Sequence, residues 1–230
     1  MRRGAIWFAL FAALCAAPAS ADDLAVQPET PPGRAFPLRD FASFTPCVEA
    51  VRIAHEDAPI IDGDLSDAIW RRAQAIEEFY QVIPEEGAEP SQPTRAYILF
   101  DERTLYIGIY NYDSEPELIR RSQMQRDPRL RDDDAVRVYL DTFGTFRDAS
   151  FFGVNPNGAR SDALIENNGS YQDQWNTIWR ARTKVVEDGW IAEFAIPFQS
   201  ISLWGSFFLG KRPSLWVRLE RQHYRRLESF

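Results

Sequence analysis

The chain has 230 residues, 45% of them hydrophobic and 13% aromatic, with a formal net charge of −8. An acidic chain with no basic run lacks the electrostatic footprint of a nucleic-acid binder, so no nucleic-acid partner is expected. Two histidines, His55 and His223, are too few for a histidine-rich zinc site, and there is no glycine-rich phosphate loop and no internal repeat.

The first 21 residues follow the plan of a secretory signal peptide. Arg2 and Arg3 precede an apolar run from Ala5 to Ala17, then Pro18 and the small triplet Ala19-Ser20-Ala21, with cleavage expected after Ala21. The run is shorter than the roughly 20 residues that span a bilayer. Leu14 before Cys15 does not suit a lipoprotein cleavage site, so the expected product is exported and not lipid-anchored. Its expected location is the periplasm, the outer membrane or the cell exterior. Cleavage leaves Cys47 alone, which excludes an internal disulfide. Residues 22–46, with Pro28, Pro31, Pro32, Pro37 and Pro46, read as an extended linker, and residues 47–230 as the folded domain.

Within that domain, period-two segments dominate. Val48–Ile53 is a first strand. Arg95–Phe100 sets Ala96, Ile98 and Phe100 against Arg95, Tyr97 and Leu99. Thr104–Tyr112 sets Leu105, Ile107 and Ile109 against Tyr106, Gly108, Tyr110 and Tyr112. Ala135–Phe143, Phe151–Asn155, Arg160–Ile165, Thr183–Glu187 and Trp190–Ile196 follow, and Leu215–Glu220 closes the set. Such alternation buries one face of each strand. Turns are expected at Asp101-Glu102-Arg103, Asn157-Gly158 and Asp188-Gly189. One short helix is expected, capped by Ser66, with Ile69, Trp70 and Ala73 as its apolar stripe. About eight or nine short strands joined by tight turns predict an all-β fold, an antiparallel β-sandwich of jelly-roll or immunoglobulin-like type.

Several clusters offer chemistry. Asp132-Asp133-Asp134 is the densest run of carboxylates; alternation sends Asp132 and Asp134 to one side, where they either hold a structural calcium ion or form a solvated acidic entry to a strand. Trp175, with Asp173 and Asn176 beside it, suits an aromatic platform for a sugar ring, whereas Trp179 reads as core. Tyr110 shares a strand face with Tyr106 and Tyr112 and either lines a binding surface or completes a half-buried face. Asn155 and Asp162 flank the Asn-Gly turn and either reach a ligand or bond locally. Trp70 reads as a core anchor. No carboxylate pair sits in a recognisable acid–base context, which argues against a glycoside hydrolase within this chain, and neither Met124 nor His55 lies in a haem-ligand motif.

Four ordered segments resemble signatures of family 9 carbohydrate-binding modules. These are Pro59–Trp70 (PIIDGDLSDAIW), Ala96–Asp101 followed by Leu105–Ile107, Asp133–Asp141 (DDAVRVYLD) and Gly189–Pro197 (GWIAEFAIP), and together they cover roughly residues 48–200. Phe152–Gly158, Asp162, Trp175, Trp179 and the tail Trp216–Glu228 resemble the variant found at the N-terminus of large exported bacterial proteins. In those proteins a β-rich domain at the outer membrane follows, so the chain looks truncated. The resemblance implies a β-sandwich that binds poly- or oligosaccharides without cleaving them, serves carbohydrate catabolism and often holds calcium. Any hydrolysis would belong to a partner or to a missing domain. It also implies a clamp of two tryptophans on a terminal sugar. The position aligned with the first is Arg131, and the second has no counterpart here. That departure favours the alternative of an accessory module with outer-membrane partners and no sugar site. The expected ligand-binding residues are therefore Trp175, Asn155, Asp162, Arg131 and Tyr110, and the expected metal ligands Asp132 and Asp134.

Overall fold

A computed structural model describes residues 8–11, 47–128, 130–167, 169–201 and 214–230. Its strands are β1 (Phe8–Phe11), β2 (Cys47–Val48), β3 (Val51–Arg52), β4 (Thr94–Phe100), β5 (Thr104–Tyr112), β6 (Ala135–Asp141), β7 (Ala149–Val154), β8 (Arg160–Glu166), β9 (Ser170–Gln172), β10 (Arg180–Val186), β11 (Gly189–Pro197), β12 (Ser214–His223) and β13 (Glu228–Ser229). They form two sheets. The larger runs β2-β1-β12-β6-β7-β8-β9, with β13 also paired to β12; the smaller runs β10-β11-β5-β4-β3. The all-β sandwich read from the alternation is the fold observed.

The alternating apolar sets meet between the sheets. Ile98, Phe100, Leu105, Ile107, Ile109, Trp190, Phe194 and Ile196 of the smaller sheet share one core with Val136, Val138, Leu140, Phe152, Leu215, Val217 and Leu219 of the larger. Each such side chain removed from water contributes about 1.5–3 kcal/mol, which is how a domain without a disulfide holds together.

Several local expectations change. The stretch Val48–Ile53 is split: β2 joins the larger sheet and β3 the smaller, and buried Ala50 crosses between them. The expected helix is a 3-10 stretch, Ala68–Arg72, with Asp67 rather than Ser66 at its N-cap and no side-chain cap bond. The cause lies upstream. The Asp64 amide bonds the Asp62 carboxylate and the Ser66 amide bonds the Asp64 carboxylate, each at 3.0 Å, so successive Asx turns lead directly into a stretch too short to nucleate an α-helix. Its apolar stripe is nonetheless correct: Trp70, Ala73 and Ile69 pack on Leu99, Tyr106 and Ala195 at the outer face of the smaller sheet. The β7–β8 connection spans 155–159, and only Gly158 within it takes a positive φ, 78°. The next turn is Glu187-Asp188, and Gly189 already opens β11.

Of the expected leader, Phe8–Phe11 pairs antiparallel with β12 and parallel with β2. The expected linker 22–46 lies outside the described residues, and so do residues 202–213.

Candidate functional site

Period-two alternation on β8 turns Arg160 and Asp162 toward the space between the sheets, opposite Val154 and Phe152. Asp162 is buried at the rim of that space, where its carboxylate accepts the Thr177 amide at 2.9 Å and a bond from Arg126 Nη2. Arg126 also donates from Nε and Nη2 to Asn176 Oδ1, at 3.2 and 2.9 Å, and its Nε lies 3.4 Å from Asp127. Next to Asn176, Trp175 is half-buried. Its ring meets Phe152 edge-on at 6.1 Å, while Trp179 meets the same phenyl at 5.2 Å and is buried in the core. The Trp175 amide bonds the Gln172 carbonyl at 3.2 Å, closing the turn that presents the indole.

The segment carrying Arg126 is seated by two buried side chains. Asp133 accepts the amides of Ser122 and Gln123, the Ser122 hydroxyl and the Asn155 amide group. Those donors hold its carboxyl below the usual range even though burial pushes it up. Asn155 donates to the Gln123 carbonyl at 2.8 Å and accepts the amides of Asn157 and Ala159. At the other end the Asp127 amide bonds the Arg160 carbonyl at 2.8 Å. The result is a fixed polar surface beside a half-exposed indole: a guanidinium, an amide and a buried carboxylate next to an apolar face. An indole takes the C–H face of a pyranose, and the adjacent polar groups bond hydroxyls.

Of the residues expected to bind, the structure brings Trp175 and Asp162 together. Asn155 is fully buried, with both ends of its amide engaged in seating the loop and the turn, so it presents nothing to a ligand. Arg131 has a side chain 74% exposed, and among the described residues its one ion-pair approach is to Asp132 at 3.9 Å. Tyr110 lies on the outer face of the smaller sheet, stacked on Tyr112 at 4.4 Å, with its hydroxyl bonded to Asp188; burial and that carboxylate push its phenol well up. Arg126 was not singled out from the sequence, because it sits in an irregular stretch whose placement depends on Asp133 and Asn155.

The carboxylates expected to hold calcium do not fit a metal. Asp134 is buried and accepts the amides of Arg120 and Tyr224, and burial pushes its carboxyl up. Asp132 is half-exposed beside Arg131. Among the described residues no three of His, Cys, Asp and Glu gather in a metal-binding group.

No curated protein matches the sequence. Among solved structures, similar chains include a family 9 carbohydrate-binding module from Caldicellulosiruptor kristjanssonii in complex with cellotriose. It is 17% identical over 76% of this chain and 77% of that one, with a TM-score of 0.51. The same organism's family 9 module in complex with glucose is 18% identical over 75% and 78%, with a TM-score of 0.50. A candidate carbohydrate-binding protein from Bacteroides uniformis is 11% identical over 76% and 83%, with a TM-score of 0.56. At these identities the likeness is one of fold. The sequence itself matches the family model described as "Carbohydrate family 9 binding domain-like" over residues 61–210. The chain belongs to that family.

Proposed function

We propose that this domain binds saccharide without cleaving it, on the surface formed by Trp175, Asn176, Arg126 and Asp162. The observation that carries the reading is the half-exposed indole of Trp175, fixed on the core through Phe152 and flanked by the Arg126–Asp162–Asn176 bonds. Family membership supports it, as do the cellotriose and glucose bound by structural relatives. The leader-like first 21 residues support an exported protein, in the periplasm or at the outer membrane, where glycan capture would serve carbohydrate catabolism.

Calorimetric titration with cellotriose, glucose and a wider glycan panel tests the reading. Binding is expected, with Trp175→Ala weakening it about tenfold or more, equivalent to ~1.4 kcal/mol. A panel that gives no heat even at millimolar concentration, or a Trp175→Ala variant that binds as the parent does, would overturn it. The exposed Arg131, standing where the family resemblance puts a clamping tryptophan, supports the second reading of an accessory module that captures no sugar. A silent panel would favour that reading.

A further inference from the structure

We propose that the β6–β7 loop, residues 142–148, is a lipid-facing tip. Phe143 and Phe146 enter the interface of a phospholipid bilayer, with the Trp216 indole and the Arg147 guanidinium beside them among the headgroups. The inference goes beyond the saccharide reading and stands apart from it.

The loop is built on one buried side chain. Asp141, the last residue of β6, is 1% exposed; its Oδ1 accepts the amides of Phe143 and Gly144 at 2.9 and 2.8 Å, and its Oδ2 accepts that of Phe146 at 2.7 Å. The Thr145 hydroxyl oxygen accepts the amides of Arg147 and Asp148, both at 3.2 Å. Trp216 lies opposite Asp141 on β12, between the core residues Leu215 and Val217, so its ring is on the outer face. Gly144 takes a φ of 65°, and a Cβ there would stand 3.4 Å from Trp216 Nε1. The Phe146 ring meets the same indole edge-on, 4.4 Å between centres.

Two features point to what covers this tip. First, the phenyl groups are unfavourable for the protein in water. Phe143 is 72% exposed and Phe146 41%, and Phe146 has a φ of 57°, in the left-handed region that disfavours bulky side chains. The contact with Trp216 offsets part of that strain; Phe143 stays in water. Second, the five amides bonded to Asp141 and Thr145 are already satisfied, so this stretch can leave water without stranding them. Turned inward, those amides cannot bond sugar hydroxyls, which sets the loop apart from the Trp175 surface. The amphipathic Trp216 ring suits the headgroup region. Arg147, exposed and bonded to Asn167 Oδ1 at 3.1 Å, supplies a cation beside it. A net charge of −8 gives no general attraction to an anionic surface, so burial of the phenyl groups drives the contact. The β6–β7 and β7–β8 turns lie at opposite ends of the larger sheet, and Asn155 and Asn157 hold the Arg126 segment at the second. A tip in lipid therefore leaves the glycan surface clear.

The test is co-sedimentation of the purified chain with phosphatidylcholine vesicles, with and without phosphatidylglycerol, at low and high salt. Binding to both vesicles is expected, with little dependence on salt. Phe143→Ser and Phe146→Ser should each weaken it about tenfold or more. The Phe143 ring is exposed in the free protein, so Phe143→Ser should keep the urea midpoint of the parent and its glycan binding, which separates this inference from the saccharide reading. A chain that ignores both vesicles, or that binds only the anionic ones and is released by salt, would overturn the proposal. Binding that neither substitution changes would overturn it too, placing the lipid contact elsewhere, at the apolar run Ala5–Ala17 first. A dimer that forms without vesicles and is lost in Phe143→Ser would assign the tip to a second copy of the chain instead.

Discussion

Glu193 is a buried carboxyl on β11 that accepts the amides of Asp62 and Gly63, at 2.9 and 2.7 Å, and the Trp70 indole N–H at 3.1 Å. One side chain thus fastens the Asp62–Trp70 segment to the smaller sheet. Burial pushes its carboxyl up to about 7, against the three donors that favour the ionised form. The folded protein therefore holds this proton more tightly than the unfolded chain does. The stability Glu193 contributes is complete below its ordinary value of 4.5 and is lost as pH rises through about 7. His223 acts in the opposite sense. Burial, then Arg221, lowers it to about 4 although Asp113 opposes them, so its contribution is present above 6.5 and is lost as pH falls through 4. Urea unfolding of the parent and of Glu193→Gln between pH 4 and 8 should show their stability difference shrinking with rising pH. A constant difference would contradict the assignment. The indole held by Glu193 lies on Gly108, where a Cβ would stand 2.5 Å from Leu65 Cδ2 and 3.3 Å from the Trp70 ring. Gly108→Ala is therefore expected to cost about 1–3 kcal/mol through overpacking, read from the same unfolding curves.

At the scale of elements, the loop carrying Arg126 depends on two buried side chains outside the proposed surface. Asn155→Ala removes a donor from Asp133 and an acceptor from the amides of Asn157 and Ala159. Each buried group left unpaired costs about 1–3 kcal/mol. The expected outcome is lower stability, faster proteolysis within residues 120–128 and weaker glycan binding. A variant as protease-resistant as the parent would show that the loop is held by something else. The same side chain marks where the sequence stops being legible. Strands β4, β5, β6 and β11 could be read with little error, since each places an apolar, core-facing side chain at every second position over seven to nine residues. The Asn-Gly pair located the β7–β8 turn, but turn chemistry does not say which way a neighbouring asparagine faces, and Asn155 faces inward to Asp133 across 22 residues of chain. Asp132 and Asp134 could be read either as calcium ligands or as a solvated acidic entry for the same reason: alternation gives a side of the strand, not the backbone amides that Asp134 accepts there. Trp175 and Asp162 were legible as candidates, while the guanidinium that joins them comes from a segment with no periodic pattern.

At the scale of the molecule, the two sheets are joined by more than their apolar core. Arg221 on β12 is buried and donates to the Pro93 carbonyl at 2.9 Å, the Thr94 hydroxyl at 3.0 Å and the Tyr112 carbonyl at 2.8 Å. Its charge faces Asp134 and Asp113, and burial still lowers it to about 10. Removing one partner of a buried charge cluster costs about 3–5 kcal/mol. Arg221→Met should therefore lower the urea midpoint steeply, and a midpoint near that of the parent would show the cluster to be dispensable. The export reading has its own whole-chain consequence. A chain beginning at Asp22 loses β1, a four-residue strand, yet should still unfold cooperatively with a β-rich circular dichroism spectrum. Loss of that cooperativity would make Phe8–Phe11 part of the working fold rather than a leader. The central claim, that glycan meets this protein at Trp175, is tested most directly by following the indole N–H signals of its seven tryptophans by NMR during a titration with whichever glycan of the panel binds, cellotriose first. The Trp175 signal is expected to move, with those of Trp70, Trp179 and Trp190, buried in the core and beneath the outer segment, staying in place. A titration that leaves Trp175 unmoved, or that shifts Trp216 instead, contradicts the account.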